Sequence, residues 1–301
     1  MQMRLVFQWL TTVLLLSLLA YSPANAEPRI SFAPSTTFDQ GLLWQITSKQ
    51  GKTSYLFGTI HVEDPQVVNL ASPVKKALSN SKSMTLEILP DPAAQASALA
   101  AMLYTDGKNL KQVLSASLYK RTISALGENG MPEQFVNGMK PWAAMMILSV
   151  PKAETGQFLD KTLYDKALNR RMKTYALETQ EEQLGLFNNM AEKDQIKMLE
   201  RTLNDLKILP EMFRQLKQAW LDRDLAKLQA ISEQQAPKDD PIATRFMDKL
   251  VNKRNHVMAD RMQPRLKEGR AFIAVGALHL PGEEGLLNLL SQRGYRVERL
   301  Y

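Results

Sequence analysis

The chain has 301 residues, 45% of them apolar and 23% charged, with a formal net charge of +7 and no cysteine. Those proportions suit a globular protein with its own core and exclude a disordered or fibrous polymer. The lack of cysteine excludes disulfides, cysteine-zinc sites and a thiol nucleophile. The basic surplus is scattered; its densest group, Lys161, Lys166, Arg170, Arg171 and Lys173, lacks the aromatic ladder of a nucleic-acid face, so no nucleic-acid partner is expected.

Residues 1–26 read as a signal peptide. Arg4 gives a positive start, residues 5–21 are mostly apolar, and Ala24-Asn-Ala26 has the small-x-small form of a cleavage site. Cleavage after Ala26 leaves no stable membrane span and places the protein in the periplasm or outside the cell. Residues 27–40, with Pro28 and Pro34, read as a mobile lead-in. From 41 to 301 the pattern is that of a single α/β domain with helical insertions at about 92–169 and 192–266.

Order begins with a hairpin, residues 42–47 and 53–57 around a turn containing Gly51. It delivers the chain to Gly58-Thr-Ile-His61, followed by a helix over 72–80 and a strand over 84–88. A similar phrase returns as Ala271-Phe-Ile-Ala-Val-Gly276-Ala-Leu-His279, with a helix over 282–293 and a strand over 295–300. Two of only three histidines therefore follow a β-prone run and a glycine at the same spacing.

Parallel strands end on one edge of a sheet, where ligand sites of open α/β folds gather. The two histidines then come together with Glu87 and Glu178, each closing a strand of its own. A buried carboxylate at a strand end needs a partner, and a cation is one. Two neutral imidazoles with carboxylate oxygen suit a first-row divalent ion and leave room for water, so manganese, cobalt, zinc and iron all fit the ligand types.

Between the first unit and Glu178, apolar spacing and the breaks at Gly127, Gly130-Met-Pro132 and Pro141 predict helices of roughly 8 to 14 residues roofing the strand ends. Met102, Met131, Met139, Met145 and Met146 suit either core packing or an adaptable surface for an extended substrate. Thr179 and Glu182 have the spacing of a capping box, which gives Glu182 a structural task and leaves Glu181 to solvent. Asp224 reads as the cap of a short helix, and residues 236–241 as an exposed loop. A helix over 242–266 places Met247, Leu250, Arg254, Val257, Met258 and Arg261 on one face. Arg254 cannot lose its charge there, so it pairs with a structural acid, clamps a carboxylate ligand, or holds an oxyanion. His256 points about 200° away from Arg254 and reads as a surface residue or one that supports the site from outside.

Several phrases resemble the TraB/PrgY/GumN family, whose animal relatives are the Tiki proteins. They are Leu43-Trp44, Tyr55 to Val62 with Gly58-Thr-Ile-His61, Leu86-Glu87, Lys140-Pro-Trp142, Leu177-Glu178-Thr with Glu181-Glu-Gln-Leu184, Arg254-Asn255, and Val275-Gly-Ala-Leu-His279-Leu-Pro-Gly282 through Gly294-Tyr295. They stand in the family's order, nearest its GumN-like bacterial branch. The resemblance implies a fold related to erythromycin esterase and the ChaN-like haem-binding proteins, and a metallopeptidase-like hydrolase site. It carries His61 and His279 as metal ligands, with Glu87 and Arg254 as site residues, and favours manganese or cobalt. The expected substrate is a peptide or protein, with one of Glu87 and Glu178 a ligand and the other the base. The alternatives are an exported haem or polymer binder and an esterase on the same scaffold.

Overall fold

A computed structural model describes residues 38–90, 92–152, 155–235 and 241–301. The expected signal peptide, most of the lead-in and the 236–240 part of the exposed loop lie outside these residues. Strands β1 (Leu43–Thr47) and β2 (Thr53–Thr59) form the expected hairpin, with Leu43 opposite Phe57 and Thr47 opposite Thr53. β3 (Ser83–Leu86), β4 (Lys173–Ala176), β5 (Ala271–Gly276) and β6 (Arg296–Arg299) complete a six-stranded sheet in the order β4-β3-β5-β2-β1-β6. The protein is thus a mixed α/β structure with many helices around a central sheet.

The pairs β2–β5, β5–β3 and β3–β4 are parallel, whereas β1 runs against both its neighbours. Four strands therefore finish on one edge of the sheet. Every residue of β5 is buried, which is why it reads as an unbroken apolar run instead of an alternating one. β4 and β6, at the two sheet edges, expose both their ends.

The two similar phrases do not build equivalent units. β3 pairs beside β5, but β6 crosses to the far edge and lies antiparallel to β1. A four-residue helix, Pro65–Val68, precedes the expected helix Ser72–Ser79. The second unit instead passes through a 3-10 turn, Ala277–His279, and its helix starts only at Leu286. Gly58 is required by packing: a β-carbon there would lie 2.7 Å from Leu280 Cδ1 and 3.1 Å from the Ala277 Cα. The second phrase presses directly on the first.

Residues 92–169 are helical as expected, but two of the helices, Leu110–Val113 and Glu133–Asn137, have only four and five residues. Gly127 does not divide helices; Ala116–Glu128 runs through it and ends before Gly130, whose φ of +81° suits glycine alone. The methionines at 102, 131, 139, 145 and 146 are all buried in a second apolar cluster around Trp142 and Phe187, separate from the core on the sheet. They pack a core and present no adaptable surface. The capping box forms with both its bonds, Glu182 accepting from Thr179 N and Thr179 from Glu182 N. Arg261 also bonds Glu182, and with the cap holds its carboxyl down at about 2. Asp224 caps the helix Leu225–Gln235 by accepting from Lys227 N at 2.8 Å.

The expected long helix over 242–266 is broken into Pro241–Met247, a π-helical turn at Asp248–Asn252, Lys253–Arg261 and Gln263–Glu268. The wider turn shifts the phase of everything after it. Arg254, Asn255, Met258 and Ala259 face inward, while Val257, expected on the stripe, is 40% exposed.

Candidate functional site

The register of β2 on β5 sets Thr59 beside Gly276, and each chain then continues to its histidine. Glu87 follows β3 directly. The N–H groups of Leu177 and Glu178 donate to the Glu87 carbonyl at 3.1 and 2.8 Å, so the β3–β4 pairing extends past both strands and fixes Glu178 beside Glu87. All four expected strand-end residues are buried, with His61 at 6% exposure and His279 at 0%.

Arg254, 4% exposed, organises the carboxylates. Its Nη2 donates to Glu87 Oε2 at 2.6 Å and Glu178 Oε2 at 2.7 Å, and its Nε to Glu178 Oε1 at 2.9 Å. Nη1 donates to the Leu250 carbonyl at 3.1 Å, within the π-helical turn, so this distortion aims the guanidinium. The planar fork matches two carboxylates in a way no point charge does. Burial alone pulls the Arg254 pKa down, but the adjacent Glu87 and Glu178 more than offset it. The Gln183 amide donates to both glutamates, at 3.3 and 3.1 Å, and Gly276 N donates to Glu87 Oε1 at 2.6 Å. Of the three tasks expected for Arg254, its contacts match pairing with acids, structural or ligating, and this pairing engages Nε and Nη2.

His279 is oriented by a residue outside the expected set. Asn255 gives its amide nitrogen to the Glu284 carbonyl at 2.7 Å, which leaves its oxygen for His279 Nδ1 at 2.5 Å. Nδ1 therefore carries the proton, and Nε2 presents a lone pair. Nε2 is buried, has no hydrogen-bond partner, and lies 3.9 Å from Glu87 Oε1. Burial, then the charge of Arg254, holds the imidazole pKa well below its ordinary value of 6.5, so the ring stays neutral. His61 differs. Burial opposes its protonation, but the charge of Asp160 and its contact outweigh this and raise the pKa. Nδ1 lies 2.8 Å from Asp160 Oδ2, with an angle too poor for a full hydrogen bond, while Thr59 Oγ1 holds the other Asp160 oxygen at 3.0 Å.

These donors fit a divalent cation in kind. His279 offers an orphaned, deprotonated Nε2 set by an outer amide, the arrangement that orients metal-bound imidazoles. Glu87, Glu178 and Asp160 outnumber the one permanent cation, Arg254, so the cluster has room for further positive charge. Among the described residues, no group of three or more His, Asp and Glu side chains is already drawn together around one point. Glu178 is committed to Arg254 and Gln183 through both oxygens, leaving Glu87 Oε1 as the carboxylate oxygen nearest His279.

Asp160, Asn255 and Gln183 escaped expectation as site residues. Asn255 and Gln183 stand inside the family phrases beside Arg254 and Glu181, a signal that could have found them. Asp160 begins the helix Leu159–Asn169, and nothing near it in sequence marks it. His256 is exposed and pairs with Glu284, as its helical angle predicts.

A sequence profile of the TraB/PrgY/gumN family matches residues 42–299. Metalloprotease TIKI2 of Xenopus tropicalis is 26% identical over 310 residues, covering 85% of this chain and 59% of its own length. Metalloprotease TIKI1 of Homo sapiens is 25% identical, covering 91% of this chain and 64% of its own. Uncharacterized protein YbaP of Shigella flexneri is 22% identical, over 81% and 90%. The chain thus spans less than two thirds of the length of these animal relatives. No solved structure matches, so the expected kinship with erythromycin esterase and ChaN-like folds rests on the sequence resemblance alone.

Proposed function

Because the chain belongs to the TraB/PrgY/gumN family across residues 42–299, we propose that it is an exported, metal-dependent hydrolase of peptide bonds. The observation that carries this reading is the buried, unpartnered Nε2 of His279 beside Glu87 Oε1, in a chain distantly similar to metalloproteases. His279, His61 and Glu87 would hold the ion, with manganese or cobalt favoured by the family and zinc or iron compatible with the donors. A bound divalent ion supplies Lewis-acid polarisation of the carbonyl and a more acidic water.

The chain's own groups account for the rest. Arg254 and Gln183 hold both glutamates in place; with Glu87 a ligand, Glu178 is the carboxylate left to act on a proton. Gly276 N and Arg254 Nη2 lock the Glu87 carboxylate in one orientation. Asp160 faces His61 Nδ1, which favours the proton on that nitrogen and leaves Nε2 as the one to hold the ion.

The mature protein is expected to bind one equivalent of divalent metal, show no haem absorption band, and cleave members of a peptide library only when metal-loaded. A haem band without cleavage would replace the hydrolase with the binder. Ester cleavage without peptide cleavage would favour the esterase. The export reading rests on the leader alone, and among the described residues no helix is long and apolar enough to cross a membrane. Intact-mass analysis of protein recovered outside the cytoplasm should show a chain beginning at Glu27. A retained leader would overturn that reading.

A further inference from the structure

A cleft of about 680 Å3 opens beside Glu178, between the helices Pro92–Met102 and Gln180–Asn188 and past the ends of β3 and β4. That volume lies in the range of roughly 300–1000 Å3 typical of ligand sites. Its walls are kept low by Ala94, Ala98 and Ala101 on one helix and Gly185 on the other. Small residues facing each other are by themselves only a way to pack helices. Gln180 adds something that packing does not need.

The Gln180 side chain lines this cleft and is 6% exposed, yet neither its amide nitrogen nor its amide oxygen has a hydrogen-bond partner. A buried amide left unpaired at both ends costs stability, and such a group calls for an explanation. One planar unit offering a donor and an acceptor side by side is complementary to another amide. The two charged lining residues, Glu178 and Glu181, are both acidic, which disfavours phosphorylated or carboxylated polymers.

Resting on the hydrolase reading above, we propose that this cleft takes the substrate, a polypeptide main chain in extended form. On binding, the Gln180 side chain turns from its buried position so that its amide pairs with one backbone amide of that chain, and small substrate residues pass between Ala98 and Gly185. Glu178 links the cleft to the Arg254 cluster, so a chain lying there reaches the site edgewise along β3 and β4. Gln180 is a positioning residue and touches no reacting atom.

The probe is a fluorescein-labelled pool of randomised, end-blocked decapeptides, read by anisotropy with the full mature protein. Gln180→Leu, which removes one or two hydrogen bonds, should weaken binding about tenfold. Gly185→Trp should abolish binding by filling the cleft, and Ser97→Trp, on the facing helix, provides a second block should the first variant misfold. Circular dichroism and bound metal should be unchanged in all three. Peptide bound in a Gln180-dependent way but never cleaved would keep the cleft and remove the hydrolase. Cleavage with wild-type KM in all three variants would keep the hydrolase and overturn the cleft. Absence of peptide binding, or displacement of the pool by N-acetylated sugar oligomers at lower concentration than by unlabelled peptide, would also overturn it.

Discussion

Replacing Arg254 with Ala should cost about 3–5 kcal/mol of stability, the usual consequence of removing one partner from a buried ionic group. Two carboxylates, Glu87 and Glu178, would be left facing each other without the guanidinium that bonds both. That loss is a large share of the roughly 5–15 kcal/mol that holds a folded protein together. Arg254→Lys separates charge from geometry. Lysine retains the cation but cannot reproduce the Nε and Nη2 bonds together, so an intermediate loss is expected, accompanied by a large fall in kcat. Urea unfolding monitored by circular dichroism measures the first effect, and turnover below the melting range the second. An Arg254→Ala protein within about 1 kcal/mol of wild type would show that the three groups do not form the interdependent cluster drawn from their distances.

Asn255→Ala should reduce manganese or cobalt affinity by about 10–100-fold, the range seen when an outer partner of a metal-bound histidine is removed. Without the Asn255 oxygen, His279 loses the contact that keeps its proton on Nδ1 and its lone pair on Nε2. His279→Ala should cost more, since it removes the donor itself. His61→Ala should cost a similar amount, and the double variant should lose little beyond either single one. Isothermal titration of metal-free protein tests all four. Wild-type affinity in Asn255→Ala, or independent titration of two separate sites in the histidine variants, would dismantle the shared-ion reading.

What the sequence revealed follows from the reach of its patterns. His61, Glu87, Glu178 and His279 were legible because each closes a short β-prone run, and parallel topology gathers such ends. The hairpin and the capping box were legible for the same local reason. Asp160 was not, because its contact with His61 is made only when a distant helix packs on the sheet. Asn255 was hidden by geometry: an assumed period of 3.6 carries the inward stripe through Val257, whereas the π-helical turn before Lys253 rotates Asn255 into it. Arg254 was noticed as anomalous on either phase, but its double clamp on Glu87 and Glu178 depends on where two strands end in space. The far-edge placement of β6 was likewise unreadable, since its spacing from β5 matches the first unit.

β5 occupies an inner position of the sheet although it is made long after β1 to β4. Until residues 271–276 are available, the hairpin β1–β2 and the ribbon β3–β4 have nothing to join them, and each exposes an inner edge to stray pairing. Joining them requires closing a very long loop, a step associated with slow folding. The same insertion brings Gly276 N to Glu87 and sets the histidine strands side by side. Assembly order therefore delays the site: Glu87 and Glu178 are made well before Gly276 and His279 can reach them.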